Sequence, residues 1–167
     1  MEINSLLLEA YDRLPELVRS AVEGLSGEQL RWAPAEGANS IGWLVWHLTR
    51  VQDHHLGEVL GQEQIYLTGD WAHRFGLKAD PSDIGYGHTA AQVAAVRPEN
   101  AQALVEYYAA VHARTSDFLR GLTAADLDRV VDERWNPPVT LAVRLVSVVN
   151  DDTQHVGQAA YVRGLLP

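Results

Sequence analysis

The last predicted helix, from Thr140 to Arg163, carries a cluster of polar residues inside an otherwise apolar pattern. The cluster comprises Asn150, Asp151, Asp152, Gln154, His155 and Gln158. Polar groups in a buried segment need bonding partners, because burial without a partner is costly. Asp151 and His155 are four residues apart, a spacing that places two helical side chains on one face with Cβ atoms about 5 to 6 Å apart. The pair can therefore chelate one metal ion, or form a buried ion pair with each other.

A third metal ligand is expected from the second long helix, where His47 lies on a face shared with core residues. Helical bundles commonly build metal sites from inward side chains on facing helices. Three protein ligands leave coordination positions for water or substrate, as in catalytic metal sites. Two histidines and one carboxylate suit several divalent metals, including zinc, nickel and iron. Asp152 replaces Asp151 as the ligand if the last helix is rotated from this estimate.

Further polar residues are expected to contact the substrate or to hold a metal ligand in place. They are His54, Arg144, Asp152 and Gln158. Arg144 precedes Asp151 by seven residues on about the same helix face, so it can bind a carboxylate of a substrate or thiol cofactor, or form an internal salt bridge. His73, His88 and His112 lack any supporting spacing and are interpreted as ordinary surface or core histidines.

Gly157 lies inside the last predicted helix, where glycine costs about 1 kcal/mol relative to alanine. It indicates either close helix packing or room for a ligand, and packing is the commoner reason. Four tryptophans can wall a binding pocket, although aromatic residues at helical spacing more often belong to the core. These are Trp43, Trp46, Trp71 and Trp135.

Four long helices are needed to position these residues, and the spacing of apolar residues predicts them. The first carries Pro15, where a kink is expected. The second begins after Ser40 as its cap, the third begins at Pro98, and the fourth follows Thr140. The predicted fold is all-α, with one domain over residues 1–167 folded as a four-helix bundle.

The second and third predicted helices are joined by a long crossover, from about Gln62 to Arg97, that shows no helical period. A connection of this length in a compact domain is usually functional or contains short elements of its own. Its aromatic residues argue against a disordered linker, so an ordered crossover that covers a pocket is expected. The later segment VVDERWNPPVT, with Pro137 and Pro138, is predicted to be a constrained loop before the last helix.

Composition excludes several classes of function. The net charge of −9 and the pI near 5.1 argue against nucleic-acid binding, which uses a basic surface. The sequence has no cysteine, so any thiol chemistry needs a thiol cofactor. Neither a membrane-spanning run nor a secretion signal is recognisable, and a cytoplasmic location is expected.

Two motifs carry a resemblance to a known family. The second helix reads SIGWLVWHLTR, and the last contains D-x-x-x-H-x-G-Q-x-x-Y-x-R-G from Asp151 to Gly164. The sequence resembles the DinB-like superfamily of metal-binding four-helix bundles, which includes mycothiol-dependent maleylpyruvate isomerase and S-transferases that use mycothiol or bacillithiol. The family's ligands are a histidine in the second helix, matched by His47, and an H-x-x-x-H or E-x-x-x-H pair in the last. His155 matches the second residue of that pair, and Asp151 replaces the first with a shorter carboxylate.

The resemblance implies a divalent-metal-binding protein that acts as a thiol S-transferase or isomerase on a small electrophile, with mycothiol or another low-molecular-weight thiol. A metal-dependent hydrolase, with Asp152 or His54 assisting proton transfer, is one alternative. A non-catalytic, stress-related binding module with a degenerate site is another. A homodimer is the expected assembly, as in similar bundles.

Overall fold

The computed structural model describes residues 2–167 and confirms the predicted helical bundle. Its elements, in chain order, are α1 Ile3–Tyr11, α2 Leu14–Val22, α3 Gly27–Arg31, α4 Ile41–Leu60, α5 Ile65–Thr68, α6 Trp71–Arg74, α7 Ala90–Ala95, α8 Ala101–Arg120, a 3-10 helix Ala124–Asp128, β1 Val130–Asp132, β2 Val139–Thr140 and α9 Leu141–Gly164. The bundle consists of α1 with α2, α4, α8 and α9, and α4 packs along α9. No helix within residues 2–167 is long and apolar enough to cross a membrane.

The first predicted helix is broken in two at the position where a kink was expected. The α1 helix ends at Tyr11, and α2 begins at Leu14 with Pro15 in its first turn. Proline lacks an N–H group, and its ring clashes with the carbonyl four residues earlier, which here belongs to Tyr11. The Tyr11 hydroxyl donates to the Leu145 carbonyl at 2.8 Å, which ties the break to α9.

The two helices that carry the candidate ligands begin at side-chain caps predicted from the sequence. Ser40 accepts a hydrogen bond from the Trp43 N–H at the start of α4, and Thr140 accepts one from the Val143 N–H at the start of α9. Such caps satisfy backbone donors that the helix itself leaves unpaired, each contributing about 1 kcal/mol. The α4 helix is buried along most of its length, at the centre of the apolar core.

Buried charges on α4 hold the long crossover against the bundle. Asp53 accepts hydrogen bonds from the backbone of Ile65 and Tyr66, at 2.9 and 2.8 Å. Arg50, also fully buried, donates to the carbonyl oxygens of Asp80, Pro81 and Asp83, at 3.1 to 3.4 Å. The Arg50 Nη1 and Asp53 Oδ2 atoms lie 3.6 Å apart, so the two buried charges compensate each other. The crossover is therefore ordered, as predicted, and its course depends on α4.

The segment expected to be a constrained loop forms a short antiparallel hairpin. Val130 pairs with Thr140 and Asp132 pairs with Val139, so β1 and β2 lie directly before α9. The peptide bond between Asn136 and Pro137 is cis, at the turn of the hairpin. Valines suit a strand, and the prolines occupy the connection, where no ladder hydrogen bond is lost.

Candidate metal centre

His47 from α4 meets Asp151 and His155 from α9 at the interface of these two helices. One ligand atom from each residue lies within 4.8 Å of the other two. The Asp151 Oδ1 and His155 Nε2 atoms are 3.5 Å apart, and the two imidazole ring centroids are 4.7 Å apart. The facing helices therefore bring together the three residues that the sequence motifs indicate.

Hydrogen bonds outside the triad fix the orientation of both imidazole rings. The His47 Nδ1–H group donates to the Ile84 carbonyl of the crossover. The His155 Nδ1–H group donates to the Gln158 side-chain oxygen at 2.8 Å, one turn further along α9. Metal-binding histidines commonly have an acceptor of this kind on the nitrogen that does not bind the metal, which makes Nε2 the candidate ligand atom of each ring.

The Asp151 carboxylate has one oxygen that the protein leaves unsatisfied. Its Oδ2 atom is buried and has no hydrogen-bond partner among residues 2–167. An unpaired buried oxygen of this kind costs about 1 to 3 kcal/mol, and more when charged. A four-coordinate metal with bonds of about 2.0 to 2.2 Å holds its ligand atoms roughly 3.3 to 3.6 Å apart, which matches the spacing of Asp151 and His155. The triad thus fits a divalent cation in donor chemistry, and the Asp151–His155 pair also fits one in spacing.

The surroundings of the two histidines shift their pKa values in opposite directions, downward for His47 and upward for His155. Burial lowers the pKa of His47, so its imidazole is neutral and available as a ligand at physiological pH. The hydrogen bond to Asp151 raises the pKa of His155 in the absence of a cation. A cation at this position would therefore compete with a proton at His155.

The triad opens to a narrow cleft of about 210 Å³. The cleft is lined by His47, Val51, His55, Ile84, Tyr86, Ser147, Val148 and Asp151. His55, Ile84 and Tyr86 also line a wider cavity of about 680 Å³, which Arg134, Trp135 and Arg144 border on the side of the hairpin. The two cavities have these three lining residues in common, so they adjoin each other on the hairpin side of the triad.

The chain is similar to known proteins in sequence and in fold. The sequence model of the DinB superfamily matches residues 10–159. The chain belongs to the DinB superfamily. Among solved structures, it is similar to a conserved protein from Enterococcus faecalis, with a TM-score of 0.88 and 31% identity over 98% of this chain and 96% of the other. A search of curated proteins found no match. The family and fold expected from the two motifs are confirmed.

Asp152 of this DinB protein points away from the triad into the core. It is fully buried, and neither carboxylate oxygen has a hydrogen-bond partner in the described part of the chain. Burial raises the pKa of Asp152 well above its ordinary value, and the neighbouring Asp151 raises it further. Asp151 is consequently the carboxylate that faces His47 and His155, and burial favours the neutral form of Asp152.

His54, His55 and Glu58 form a second cluster on α4, whose ligand atoms also lie within 4.8 Å of one another. His54 Nδ1 accepts a hydrogen bond from Gln64, and His55 Nε2 accepts one from Arg144. Their other nitrogens lie 3.7 and 3.6 Å from the Glu58 carboxylate, and His55 Nδ1 has no hydrogen-bond partner among residues 2–167. Burial, with a further contribution from Arg144, lowers the pKa of His55 to about 4. One nitrogen of each ring is therefore already bonded within the protein, and the other faces Glu58.

Arg144 forms the internal salt bridge that was one of its two expected roles. It donates to Asp132 of the hairpin at 2.9 Å, and Asp132 also pairs with Arg134 at 2.8 Å. These contacts lower the pKa of Asp132, so the carboxylate stays charged. Arg144 also borders the wider cavity.

The crossover contributes residues that sequence reasoning did not single out. His88, interpreted as an ordinary histidine, binds Asp83 and Trp43 beside the triad. Gly85 has a φ of +89°, and an added Cβ atom would lie 2.8 Å from His47 Nδ1. The closely spaced glycines of the segment GYGH are the signal in the sequence that could have indicated a close backbone approach.

Gly157 provides open space, so of its two expected explanations the structure supports room beside the helix and not close packing. An added Cβ atom there would meet no atom within 4 Å in residues 2–167. Gly157 instead lines a cavity of about 490 Å³, together with Leu44, Gln158 and Tyr161. Gln158, the hydrogen-bond partner of His155, therefore stands between the triad of the DinB protein and a third, mostly apolar cavity.

Proposed function

We propose that this DinB protein binds a divalent cation through His47, Asp151 and His155 and acts as a thiol S-transferase or isomerase. The carrying observation is the arrangement of the donor atoms. Both imidazoles have an acceptor at Nδ1, and a ligand atom of each lies within 4.8 Å of a ligand atom of Asp151, whose Oδ2 atom is buried without a partner in residues 2–167. Such a donor set is suited to zinc, nickel or iron.

The chemistry that a cation would supply is activation of a thiol, because a bound cation stabilises a thiolate at neutral pH. The sequence contains no cysteine, so the thiol must come from a low-molecular-weight cofactor such as mycothiol. The three ligands contribute one formal negative charge, from Asp151, and leave coordination positions for a small ligand.

The remaining residues of the site bind and orient the reactants. The cleft beside His47 and Asp151 is large enough for the reacting groups, and the wider cavity has room for the rest of a thiol cofactor or electrophile. Tyr86 and Trp135 expose their rings at this cavity and can pack against an organic group. Arg144 is suited to a carboxylate of either reactant.

Metal-dependent hydrolysis has less support, because the two residues considered for proton transfer do not face the cleft. Asp152 is buried in the core, and His54 is engaged with Gln64 and Glu58. A general acid or base must lie within hydrogen-bond reach of the reacting group, directly or through one water. Neither side chain meets that requirement in this arrangement.

Pairing of two copies is part of the proposal. A groove between α1 and α9 has an apolar part, formed by Leu6, Ala10, Val146 and Val149, of which Leu6 and Val146 are exposed. Its remaining lining residues are Glu9, Arg13, Asn150 and Thr153. Exposed apolar residues that adjoin one another favour association. A homodimer through this groove predicts that Val146→Glu converts a dimer to a monomer in light scattering after gel filtration.

Metal analysis tests the proposal first. Protein purified without an affinity tag is expected to bind about one equivalent of zinc or nickel, and His155→Ala is expected to lose it. His73→Ala is the matched control, because His73 is exposed and remote from the triad. Full metal content in His155→Ala would contradict the ligand assignment.

A thiol assay tests the reaction. The metal-loaded protein is mixed with an electrophilic acceptor and mycothiol, bacillithiol or glutathione, and thiol loss is followed. Loss that depends on protein, metal and His155 supports the transferase, and isomerisation of maleylpyruvate with catalytic thiol supports the isomerase. Turnover of esters or amides without thiol would favour hydrolysis. Metal binding without any turnover would favour the non-catalytic module.

A further inference from the structure

Trp43 links the metal centre to the crossover. Its ring stacks on the His47 ring, with centroids 4.6 Å apart and planes inclined by 13°. Its indole N–H donates to His88 Nδ1 at 3.1 Å. His88 Nε2–H in turn donates to Asp83 Oδ1 at 2.8 Å. A continuous series of contacts therefore runs from Asp83 through His88 and Trp43 to a ligand of the proposed metal.

Both nitrogens of His88 are used, which defines one orientation for its ring. Nδ1 accepts the indole proton, so the histidine proton resides on Nε2 and faces Asp83. The side chain of His88 is only 7% exposed, and its ring also lies against Trp46, with centroids 5.8 Å apart. A ring with two hydrogen bonds and two aromatic neighbours has little freedom to reorient.

The segment that binds His88 also binds His47. The Asp83 carboxylate accepts from the backbone N–H of Gly85 at 3.1 Å as well as from His88. Ile84, between these two residues, provides the carbonyl that accepts from His47 Nδ1. One tripeptide thus fixes the tautomer of His47 directly and holds the aromatic ring against it through His88.

A satisfied core histidine is the commoner explanation for a buried imidazole, but it leaves this arrangement unexplained. Ordinary core packing would not require the hydrogen bonds that join Asp83, His88 and the Trp43 ring, which is stacked on the candidate ligand His47. Partners beyond the first set of metal ligands orient those ligands and typically change metal affinity 10- to 100-fold when removed.

We propose that His88 is a positioning residue, which holds Trp43 against His47 and so fixes the plane of the His47 ring for the cation. This inference rests on the proposed metal binding by the triad. His88 itself contacts neither the cation nor the substrate.

Zinc affinity, measured by competition with a chelating dye, tests this role in the full chain. His88→Phe keeps an aromatic ring and removes both hydrogen bonds, and it is expected to weaken zinc binding about 10-fold or more. His112→Phe is the matched control, because His112 is another partly buried histidine, stacked on Tyr108 away from the crossover. It is expected to lose stability while it retains zinc affinity.

A double-mutant cycle separates positioning from general loosening. Trp43→Phe keeps a stacked ring and removes the indole donor, so it should weaken zinc binding by a similar factor. In that background His88→Phe is expected to add less than about twofold, because the two residues act through one contact. Fully multiplicative effects, or a folded His88→Phe with wild-type affinity, would overturn the inference.

Nitrogen chemical shifts of the metal-free protein provide an arm that does not depend on metal binding. Wild-type His47 is expected as a single Nδ1–H tautomer, held by the Ile84 carbonyl, and His88→Phe should shift the His47 ring signals because the Trp43 ring no longer has a fixed position against them. An unchanged His47 signal in the variant would overturn the positioning role. Failure of the wild type to bind zinc would instead refute the proposed function, and this arm would still decide the role of His88.

Discussion

Replacing Gly85 with alanine places a methyl group against the rings that border the metal centre. The new Cβ atom would lie 2.8 Å from His47 Nδ1, 2.9 Å from Trp46 Cζ3 and 3.1 Å from Trp43 Cζ2. All three rings belong to buried side chains of α4, so they cannot simply rotate into solvent. The substitution therefore strains the crossover, the His47 ring, or both.

The magnitude has two parts. The φ of +89° lies in the left-handed region, which costs an alanine about 1 to 2 kcal/mol. Insertion of a methyl group into a filled core typically costs a further 1 to 3 kcal/mol, roughly. Gly85→Ala is thus expected to lower the free energy of unfolding by about 2 to 5 kcal/mol. Each kcal/mol lost should lower the Tm by about 2 to 4 °C.

Gly87→Ala is a matched control two residues away. Gly87 also has a positive φ, of +73°, but an added Cβ atom would meet nothing within 4 Å in residues 2–167. It should therefore show the backbone cost alone, about 1 to 2 kcal/mol. The difference between the variants isolates the contact with the rings.

Urea unfolding of both metal-free variants gives the stability difference, and zinc competition gives the effect on the site. Gly85→Ala is expected to weaken zinc binding because His47 is displaced from the Ile84 carbonyl, whereas Gly87→Ala retains wild-type affinity. Equal stability losses and equal zinc affinities in the two variants would refute the close approach of the crossover to His47.

Three further substitutions test the electrostatics and the space around the site. Burial raises the pKa of Asp152, so the folded protein keeps a proton there that the unfolded chain loses. The free energy of unfolding of the wild type should therefore fall by about 1.4 kcal/mol per pH unit as the pH rises above about 4. In urea unfolding, Asp152→Asn should show less of this pH dependence and should be more stable than the wild type at about pH 7. The pKa of His55 is lowered to about 4 in the folded protein, so the unfolded chain takes up a proton at this residue at a higher pH. The free energy of unfolding should therefore fall by about 3 kcal/mol in total as the pH drops from about 6.5 to 4. His55→Gln should lack this loss. Gly157→Ala, with open space around it, should stabilise the protein by about 1 kcal/mol in thermal unfolding without changing zinc affinity. Unchanged pH profiles in either of the first two variants, or destabilisation by the third, would contradict these assignments.

Helical periodicity was sufficient to predict the bundle and the residues of the candidate site. His47, Asp151 and His155 lie in long helices with clear apolar stripes, and residues four apart on a helix share a face. Periodicity left open the choice between Asp151 and Asp152, because adjacent helical residues differ by about 100° in direction and only the packing of α9 fixes its rotation. Asp152 lies in the core near Tyr11. Burial raises the pKa of the Tyr11 hydroxyl, and the proximity of Asp152 raises it further.

The parts that sequence did not predict are those without a period. The path of the crossover depends on contacts between distant residues, such as the bonds of Arg50 to three carbonyls 30 to 33 residues away. The hairpin before α9 has too few residues per strand for alternation to be recognisable. His88 consequently had no neighbours in the sequence that indicated its role.

The buried charges of α4 acquire a reason once the crossover is considered with the metal centre. Burial of an arginine and an aspartate is expensive, and a salt bridge rarely stabilises more than apolar residues of similar volume would. His47, Arg50 and Asp53 occur at three-residue intervals along one side of α4 and all three bind crossover backbone. Arg50 fixes Asp83, and Ile84 next to it fixes His47. The cost of burying these charges is therefore connected with the site, because the same contacts that anchor the crossover orient a candidate metal ligand.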